Sequence, residues 1–342
     1  MIPEDVLAFF DLKQGRRPKA ILNVLVGKMT VSALFWGLEY DILEYLNFWK
    51  TIDTTSFLEN VDRAVEGGFL AKKDELIYLT EAGQQKQFSC TTPTPFIKKV
   101  RLDEAINLLL LANQVISEFS FKNNRYIPVS DNLRINVILK NWFKQLKSKN
   151  HHTTDLVQKY TQGLDELLSQ LQQHDADILL SYLPNHVDPG WTIDQLAQAF
   201  GISKFQMELK IRLIFSKIIS DAVLTKTAPF VDLLNSTIKE NVMPDSTYQT
   251  WQLIRQGKTV DEVARLKHVK TNTVKEHILM AAILDSNFPF DKFVRFNFEI
   301  GKHPTEVDFR SIQSQIADIT FFDFRLIQIR KIKEQQNNNG NR

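Results

Sequence analysis

Residues 257–283 read GKTVDEVARLKHVKTNTVKEHILMAAI, and the spacing of their apolar and small side chains predicts a helix-turn-helix. Val263 and Ala264 fall on one face of a first short helix, and Val274 and Ile278 repeat at a helical interval in a second one. Two helices that cross at a tight angle leave room for only a small side chain, which Ala264 supplies. The stretch therefore predicts two short helices packed across a turn.

The other face of the second helix carries hydrogen-bonding side chains. A helix with a packed back and a polar front can enter a DNA major groove and read base edges. The sequence therefore predicts DNA binding here. The candidate DNA-binding residues are Arg265, Lys267, Lys270, Thr271, Asn272, Thr273, Lys275, Glu276 and His277.

The composition is that of an ordinary soluble protein with room for two or three domains: 342 residues, 43% hydrophobic and 24% charged. A net charge of +2 is too balanced to indicate nucleic-acid binding, so that inference depends on local clusters. Four basic clusters contain no acidic residue, and any one of them by itself is ordinarily a solvated helix face. They are Lys13–Lys28, Arg134–Lys149, Arg265–Lys275 and Arg325–Lys333.

Cellular location is predicted from the cysteine count and the N-terminus. The single cysteine, Cys90, excludes an intramolecular disulfide and is typical of a reducing compartment. The N-terminus has acidic residues where a signal peptide needs basic ones, and apolar runs such as Ile106–Ala112 are too short to span a bilayer. We expect a cytoplasmic protein with no membrane segment.

The fold class is predicted to be mainly α, beginning with a winged helix. Residues 19–26, 31–48 and 55–67 have helical spacing, and two short extended runs follow around the charged turn at residues 72–75. Three helices and a hairpin outline a winged helix with a small β-hairpin. Possible secondary DNA contacts in this segment are Lys28, Lys72 and Lys73.

A second helix-turn-helix is predicted at residues 191–219, after a helical middle section. Ala197 fills the tight contact, Gly201 suits a left-handed turn and Ser203 is placed to cap the next helix. The second helix has so many apolar positions that a structural role is favoured over DNA contact. Its possible secondary contacts are Lys204, Gln206 and Lys210.

The C-terminal part of the chain contains one further predicted helix and two aromatic segments. The last ordered helix is expected at Phe309–Lys333. The aromatic segments Phe288–Phe298 and Phe321–Phe324 are interpreted as core or protein interface, with base stacking as the alternative.

The sequence predicts three domains and a tail. They are a winged-helix domain at 1–90, a helical middle domain at 96–240, a helix-turn-helix domain at 245–335 and a disordered tail at 336–342.

No catalytic motif is found in the sequence. Gly27-Lys28 resembles the end of a P-loop, but Leu22 replaces the first glycine and Met29 replaces the magnesium-binding Ser or Thr. The pair His151-His152 lacks spaced Cys or carboxylate partners for a metal. We expect no enzymatic activity, cofactor, metal or small-molecule substrate.

Several of these segments resemble domains associated with RecQ helicases. The block around Leu253–Leu284 resembles the helix-turn-helix domain appended to some RecQ-like helicases, and Thr273–His277 resembles the recognition segment of LuxR-type response regulators. The N-terminal block is similar to the winged-helix RQC module at Leu25–Lys28, Gly67–Leu70 and Leu79–Gly83. The whole layout is similar to stand-alone YpbB-like bacterial proteins.

The resemblance implies a DNA-binding accessory protein that acts with a RecQ-type helicase in replication or repair. The chain departs from it at His268, where the turn usually has glycine, and at the wing tip, which has no aromatic residue to separate strands. Two alternatives remain open. They are a helix-turn-helix transcription regulator, which should dimerise on a palindromic site, and a protein-interaction scaffold without DNA contact.

Overall fold

The computed structural model of the protein describes residues 1–89, 91–149, 152–296, 298 and 304–340. Cys90, His151 and the last two residues of the predicted tail, 341 and 342, lie outside the described residues.

The fold is mainly α-helical, as the sequence predicts, with a small antiparallel hairpin. The first elements are α1 Pro18–Leu25, α2 Val31–Glu39, α3 Thr54–Glu66, β1 Leu70–Lys73, β2 Leu76–Leu79, α4 Glu81–Lys86, α5 Leu102–Ser120, α6 Leu133–Lys149, α7 Thr153–Leu168 and α8 Gln173–Tyr182. The others are α9 Ile193–Phe200, α10 Lys204–Leu224, α11 Phe230–Leu234, α12 Asp245–Arg255, α13 Val260–Lys267, α14 Thr271–Leu284, α15 Phe309–Gln315 and α16 Phe321–Gly340. Short 3₁₀ helices lie at Pro3–Phe9, Leu43–Tyr45, Pro95–Lys99, Asn235–Thr237, Phe290–Lys292 and Pro304–Glu306.

The contacts divide the chain into two compact units, each built from two segments. Unit 1 comprises Met1–Gly15 and Asp53–Glu240, and unit 2 comprises Arg16–Ile52 and Asn241–Arg342. The helices and hairpin of the expected winged helix are present, but α1 and α2 belong to unit 2 whereas α3 and the hairpin belong to unit 1. The contact units thus do not follow the predicted boundary at residue 90, and the domain boundaries themselves stay a prediction.

Unit 1 is organised around α10. This helix is apolar on nearly every side, and 13 of its 21 residues are buried, so it needs neighbours all round. It packs against α5, α7, α8, α9 and α11. Helix α10 of the second predicted helix-turn-helix is therefore part of the unit's core, and α9 packs against it through Leu196 and Ala197.

The hairpin of unit 1 closes through two residues. Leu70 pairs with Leu79 and Lys73 with Leu76, which leaves Asp74 and Glu75 as the connection. Asp74 adopts a positive φ of 53°, as tight hairpin turns require.

Unit 2 places α12, α13 and α14 together and packs α2 and α16 against α14. Trp251 of α12 stacks on Phe288 at 4.9 Å, so the aromatic segment after α14 contributes to the core. Trp251 also donates a hydrogen bond to Asp285 at 3.0 Å, which holds the end of α14 against α12.

The helix predicted at Phe309–Lys333 is two helices, and the second of them extends into the predicted tail. Thr320 caps α16 by accepting a hydrogen bond from the backbone N–H of Asp323, so a new helix begins there and α15 and α16 are separate. Helix α16 continues through Gly340, beyond the predicted start of disorder at residue 336. Gln336 donates a hydrogen bond to the carbonyl of Leu38 at 2.7 Å, and this anchors the last turns.

Candidate nucleic-acid interface

The helix-turn-helix of unit 2 is built by local caps and a left-handed turn. Thr259 Oγ1 accepts from the N–H of Glu262 at 3.2 Å, and the Glu262 carboxylate accepts from the N–H of Thr259 at 2.7 Å. This capping box starts α13. His268 ends it with φ 53° and ψ 42°, the conformation that Gly201 adopts between α9 and α10. The expected departure at His268 therefore changes the residue but not the turn geometry.

The predicted packing residues of α13 and α14 are buried. Val263, Val274 and Ile278 have no exposed surface, and Ala264 is buried on α13, which packs against α14. With its apolar back buried, the start of α14 presents its polar residues outward. Lys270 is its N-cap, and Thr271, Asn272 and Glu276 are exposed on its first turns.

Arg265 is exposed at the end of α13, close in sequence to Lys270. Thr273 and Lys275 are half-buried. The exposed members of the predicted DNA-binding set are thus Arg265, Lys270, Thr271, Asn272 and Glu276.

Lys267 and His277 point into the unit instead. Lys267 Nζ donates to the carbonyl of Ser246 at 2.6 Å, and His277 Nδ1 is hydrogen-bonded to the hydroxyl of Thr250 at 2.8 Å. Both partners lie on α12. Burial lowers the pKa of Lys267, and burial together with the nearby Lys267 charge lowers the pKa of His277. These two predicted site residues hold α13 and α14 against α12.

A cleft of about 760 Å³ opens beside the polar face of α14. One wall is α14, with Asn272, Lys275 and Glu276. The start of α2, around Met29 to Ser32, and the start of α16 form the others. The predicted reading face of α14 therefore does not stand alone, because a segment more than 200 positions earlier in the chain lines the same cleft.

Aromatic rings and cations line this cleft together. The Arg325 guanidinium lies 3.8 Å from the ring centre of Phe35 and 5.0 Å from that of Phe321. Burial lowers the pKa of Arg325 to about 10. Lys275 Nζ lies 5.8 Å from the ring centre of Phe322. Among the cleft aromatics Phe321 is 51% exposed, whereas its neighbour Phe324 is core. Of the segment interpreted as core or protein interface, Phe324 is core, whereas the exposed Phe321 leaves the interface interpretation a prediction.

The two units differ in charge. Unit 2 has 20 Lys and Arg against 15 Asp and Glu, a net charge of +5, and the remaining 22 basic and 25 acidic residues give unit 1 a net charge of −3. Three of the four basic clusters fall wholly or mainly within unit 2. Lys28, a predicted secondary contact, is exposed in the turn before α2 of this unit. The small net charge of the whole chain is thus the sum of a basic unit 2 and an acidic unit 1.

The predicted secondary contacts of unit 1 are of two kinds. Lys72 and Lys73 are exposed beside the hairpin turn. Lys204 pairs with Asp194 at 2.9 Å and Lys210 with Asp175 at 2.6 Å.

Gln206 belongs to the cap of α10, where its side-chain oxygen accepts from the N–H of Ser203 at 3.3 Å. The hydroxyl of Ser203 accepts in turn from the N–H of Gln206 at 3.0 Å, as the sequence predicts for a capping residue. These partners and the buried faces of α10 support the structural interpretation of this helix-turn-helix.

Within the described ranges, no group of three His, Cys, Asp or Glu residues could hold a metal ion. In that same part of the chain, none of the helices combines the length and hydrophobicity that crossing a bilayer requires.

The chain is similar to known proteins in two comparisons. Protein YpbB of Bacillus subtilis (strain 168) is 24% identical to this chain over 186 residues, which cover 54% of this chain and 52% of that protein. The chain thus spans about half the length of the curated relative it matches. No solved structure matches it. Residues 246–339 match a family described as a helix-turn-helix domain. The segment from α12 to α16 is therefore a helix-turn-helix domain, a class of domain that indicates DNA binding.

Proposed function

We propose that this protein is a non-catalytic, cytoplasmic DNA-binding accessory protein that acts with a RecQ-type helicase in replication or repair. The observation that carries the DNA-binding part is the location of the helix-turn-helix domain in a unit of net charge +5, with polar and basic residues exposed where α14 begins.

Contacts are assigned by chemistry and exposure. Arg265, Lys270 and Lys28 are exposed cations suited to phosphates, which attract protein charge regardless of sequence. Thr271 and Asn272 lie on the first turn of α14, where base edges are read in helix-turn-helix proteins. With few base-reading groups, binding is expected to be weak and to have little sequence preference.

The DNA-binding proposal is tested by the salt dependence of affinity. If about four phosphates are neutralised, the logarithm of the association constant should fall with the logarithm of salt concentration with a slope of about −3.6. The measurement is fluorescence anisotropy of labelled duplex and branched DNA. Salt-independent affinity, or no binding at low salt, would contradict the proposal.

Paired variants locate the contact surface. Arg265→Gln together with Lys270→Gln should weaken binding and reduce the slope by about 1.8, because two phosphate contacts are removed. Lys204→Gln together with Lys210→Gln is the matched control, with the same charge change at the start of α10. Circular dichroism checks that each variant folds. A larger loss in the control pair would assign DNA binding to unit 1 instead.

The helicase part of the proposal is supported by the resemblance of residues 253–284 to helicase-appended domains. The protein is expected to lack ATPase activity and to change the unwinding rate of its helicase by tethering it to DNA, since two linked weak sites raise overall affinity. Deleting residues 72–75 should leave most of this effect, because the hairpin turn has no aromatic residue to split strands.

An unwinding assay with the helicase of the same cell decides the matter. Deleting residues 245–342 should abolish the rate change. No complex and no rate change at saturating protein would contradict the accessory role and favour the transcription-regulator interpretation.

A further inference from the structure

We propose that the cleft between α2, α14 and α16 binds one unpaired nucleotide of DNA. Its base would stack on Phe321, and its phosphate would be held by Lys275 and Arg325. This inference rests on the proposed DNA binding and adds a substrate class, namely DNA with a single-stranded or frayed segment.

The size of the cleft suits a nucleotide and not a duplex. Sites for small ligands have volumes of about 300–1,000 Å³, and this cleft has about 760 Å³. A duplex is read in the opposite way, by a protein helix that enters its groove of about 12 Å. Since the cleft walls are themselves three helices, its interior suits a strand displaced from the duplex.

An aromatic surface is available for the base. Phe321 touches Phe309 edge-on at 5.5 Å, yet it remains 51% exposed at the cleft. Trp36 also lines the cleft and is half-buried. Bases stack on such rings in single-strand-binding proteins with little sequence preference, because every base has a π-face.

The cations of the cleft favour a phosphate. Across the described ranges, Arg325 contacts the rings of Phe35 and Phe321 and pairs with no carboxylate. A guanidinium that has lost part of its hydration and has no counter-ion is stabilised by an anion. Lys275 adds a second cation on the facing helix. Helix α2 also begins at this cleft, and the N-terminus of a helix carries a partial positive charge that favours an anion.

The remaining polar groups fit the edge of a base. The Asn272 amide and the Glu276 carboxylate are exposed on the α14 wall of the cleft. An amide pairs with adenine and a carboxylate accepts from a cytosine amino group. An acidic peptide would place its carboxylates beside Glu276 and would present no π-face to Phe321, so the nucleotide is favoured.

The central experiment compares two variants on two DNAs. Phe321→Ala should weaken binding of a labelled single-stranded oligothymidine about tenfold, within the range measured for a lost base stack. Affinity for a blunt duplex should change less than about twofold. Phe121→Ala is the matched control, because Phe121 is a similarly exposed phenylalanine, at 59%, in unit 1. It should change neither affinity.

Two further measurements keep the test decisive. Phe321→Leu preserves apolar packing but removes the ring, so a loss of single-strand affinity in this variant excludes simple unfolding. Photo-crosslinking of an oligonucleotide that contains 5-iododeoxyuridine should label cleft peptides at Phe321, Phe322 or Trp36. Labelling elsewhere overturns the inference.

The outcomes separate this inference from the proposed function. Duplex binding with no effect of Phe321→Ala on single strands, or with equal loss on both DNAs, overturns the nucleotide site and leaves the DNA-binding proposal standing. Absence of binding to any DNA overturns both. Helicase binding that depends on Phe321, without single-strand binding, overturns the inference and assigns the cleft to a protein segment.

Discussion

The residue that ends the first helix of each helix-turn-helix allows a matched pair of substitutions with opposite expected effects. His268 and Gly201 both have left-handed backbone, with φ of 53° and 65°. A residue with a Cβ pays about 1–2 kcal/mol in this conformation, whereas glycine does not. Gly201→Ala should therefore destabilise unit 1, and His268→Gly should stabilise unit 2.

The magnitude follows from the surroundings of Gly201. A Cβ added there would have no heavy atom within 4 Å, so backbone strain is the only cost in the folded state. The unfolded chain of the alanine variant has less freedom, which offsets about 0.4–1 kcal/mol of the strain. The net loss is about 1 kcal/mol. The same terms reversed give His268→Gly a gain of about 0.5–1 kcal/mol.

The assay is urea unfolding followed by circular dichroism, with calorimetry to resolve the two units. A change of 1 kcal/mol should shift the melting temperature by about 2–4 °C for a unit of this size. His268→Ala is the control, because it removes the imidazole but keeps the strained backbone, and it should leave stability unchanged. If His268→Gly lowers stability, or Gly201→Ala has no effect, the left-handed turn is refuted.

Three other predictions concern unit 2. Ala264→Leu should lower its free energy of unfolding by about 1–3 kcal/mol in urea titration, because a larger side chain overpacks the buried helix crossing. Burial and the nearby Lys267 charge lower the pKa of His277 in the folded protein, so its contribution to stability should be fully present above the unfolded pKa of about 6.5 and be lost as the pH falls toward the lower folded pKa. His277→Gln should flatten the dependence of melting temperature on pH between about 7.5 and 5.5, and an unchanged pH profile would refute this. The Asp323 carboxylate is 1% exposed and bonded to Arg295 at 3.0 Å, so Asp323→Asn should cost about 1–3 kcal/mol by thermal unfolding, and a neutral result would mean that the pair contributes nothing.

Much of the helix-turn-helix was predictable from the sequence, because its signals are local. The burial of Val263, Val274 and Ile278 follows from helical spacing. The cap at Ser203 and the left-handed turn at Gly201 follow from side-chain chemistry within four residues. For the same reason the mainly α fold with a small hairpin was correctly predicted.

The candidate site was only partly predictable. Arg265, Lys270 and Asn272 are exposed where a polar helix face requires, and their DNA contact stays a prediction. Lys267 and His277 belong to the same local pattern but are bonded to α12, since which polar side chain finds a partner depends on the helix that packs beside it.

The sequence by itself determined most of the segments that form helices and which faces of those helices must be buried. Only the tertiary structure decided what buries them: α2 packs against α14 and α16, which lie more than 200 positions later in the chain, and the cleft with Phe321 and Arg325 results from that packing. The physical reason is that apolar burial is non-directional. An apolar face therefore requires a partner without specifying one, and the pairing follows from how all the helices fit together.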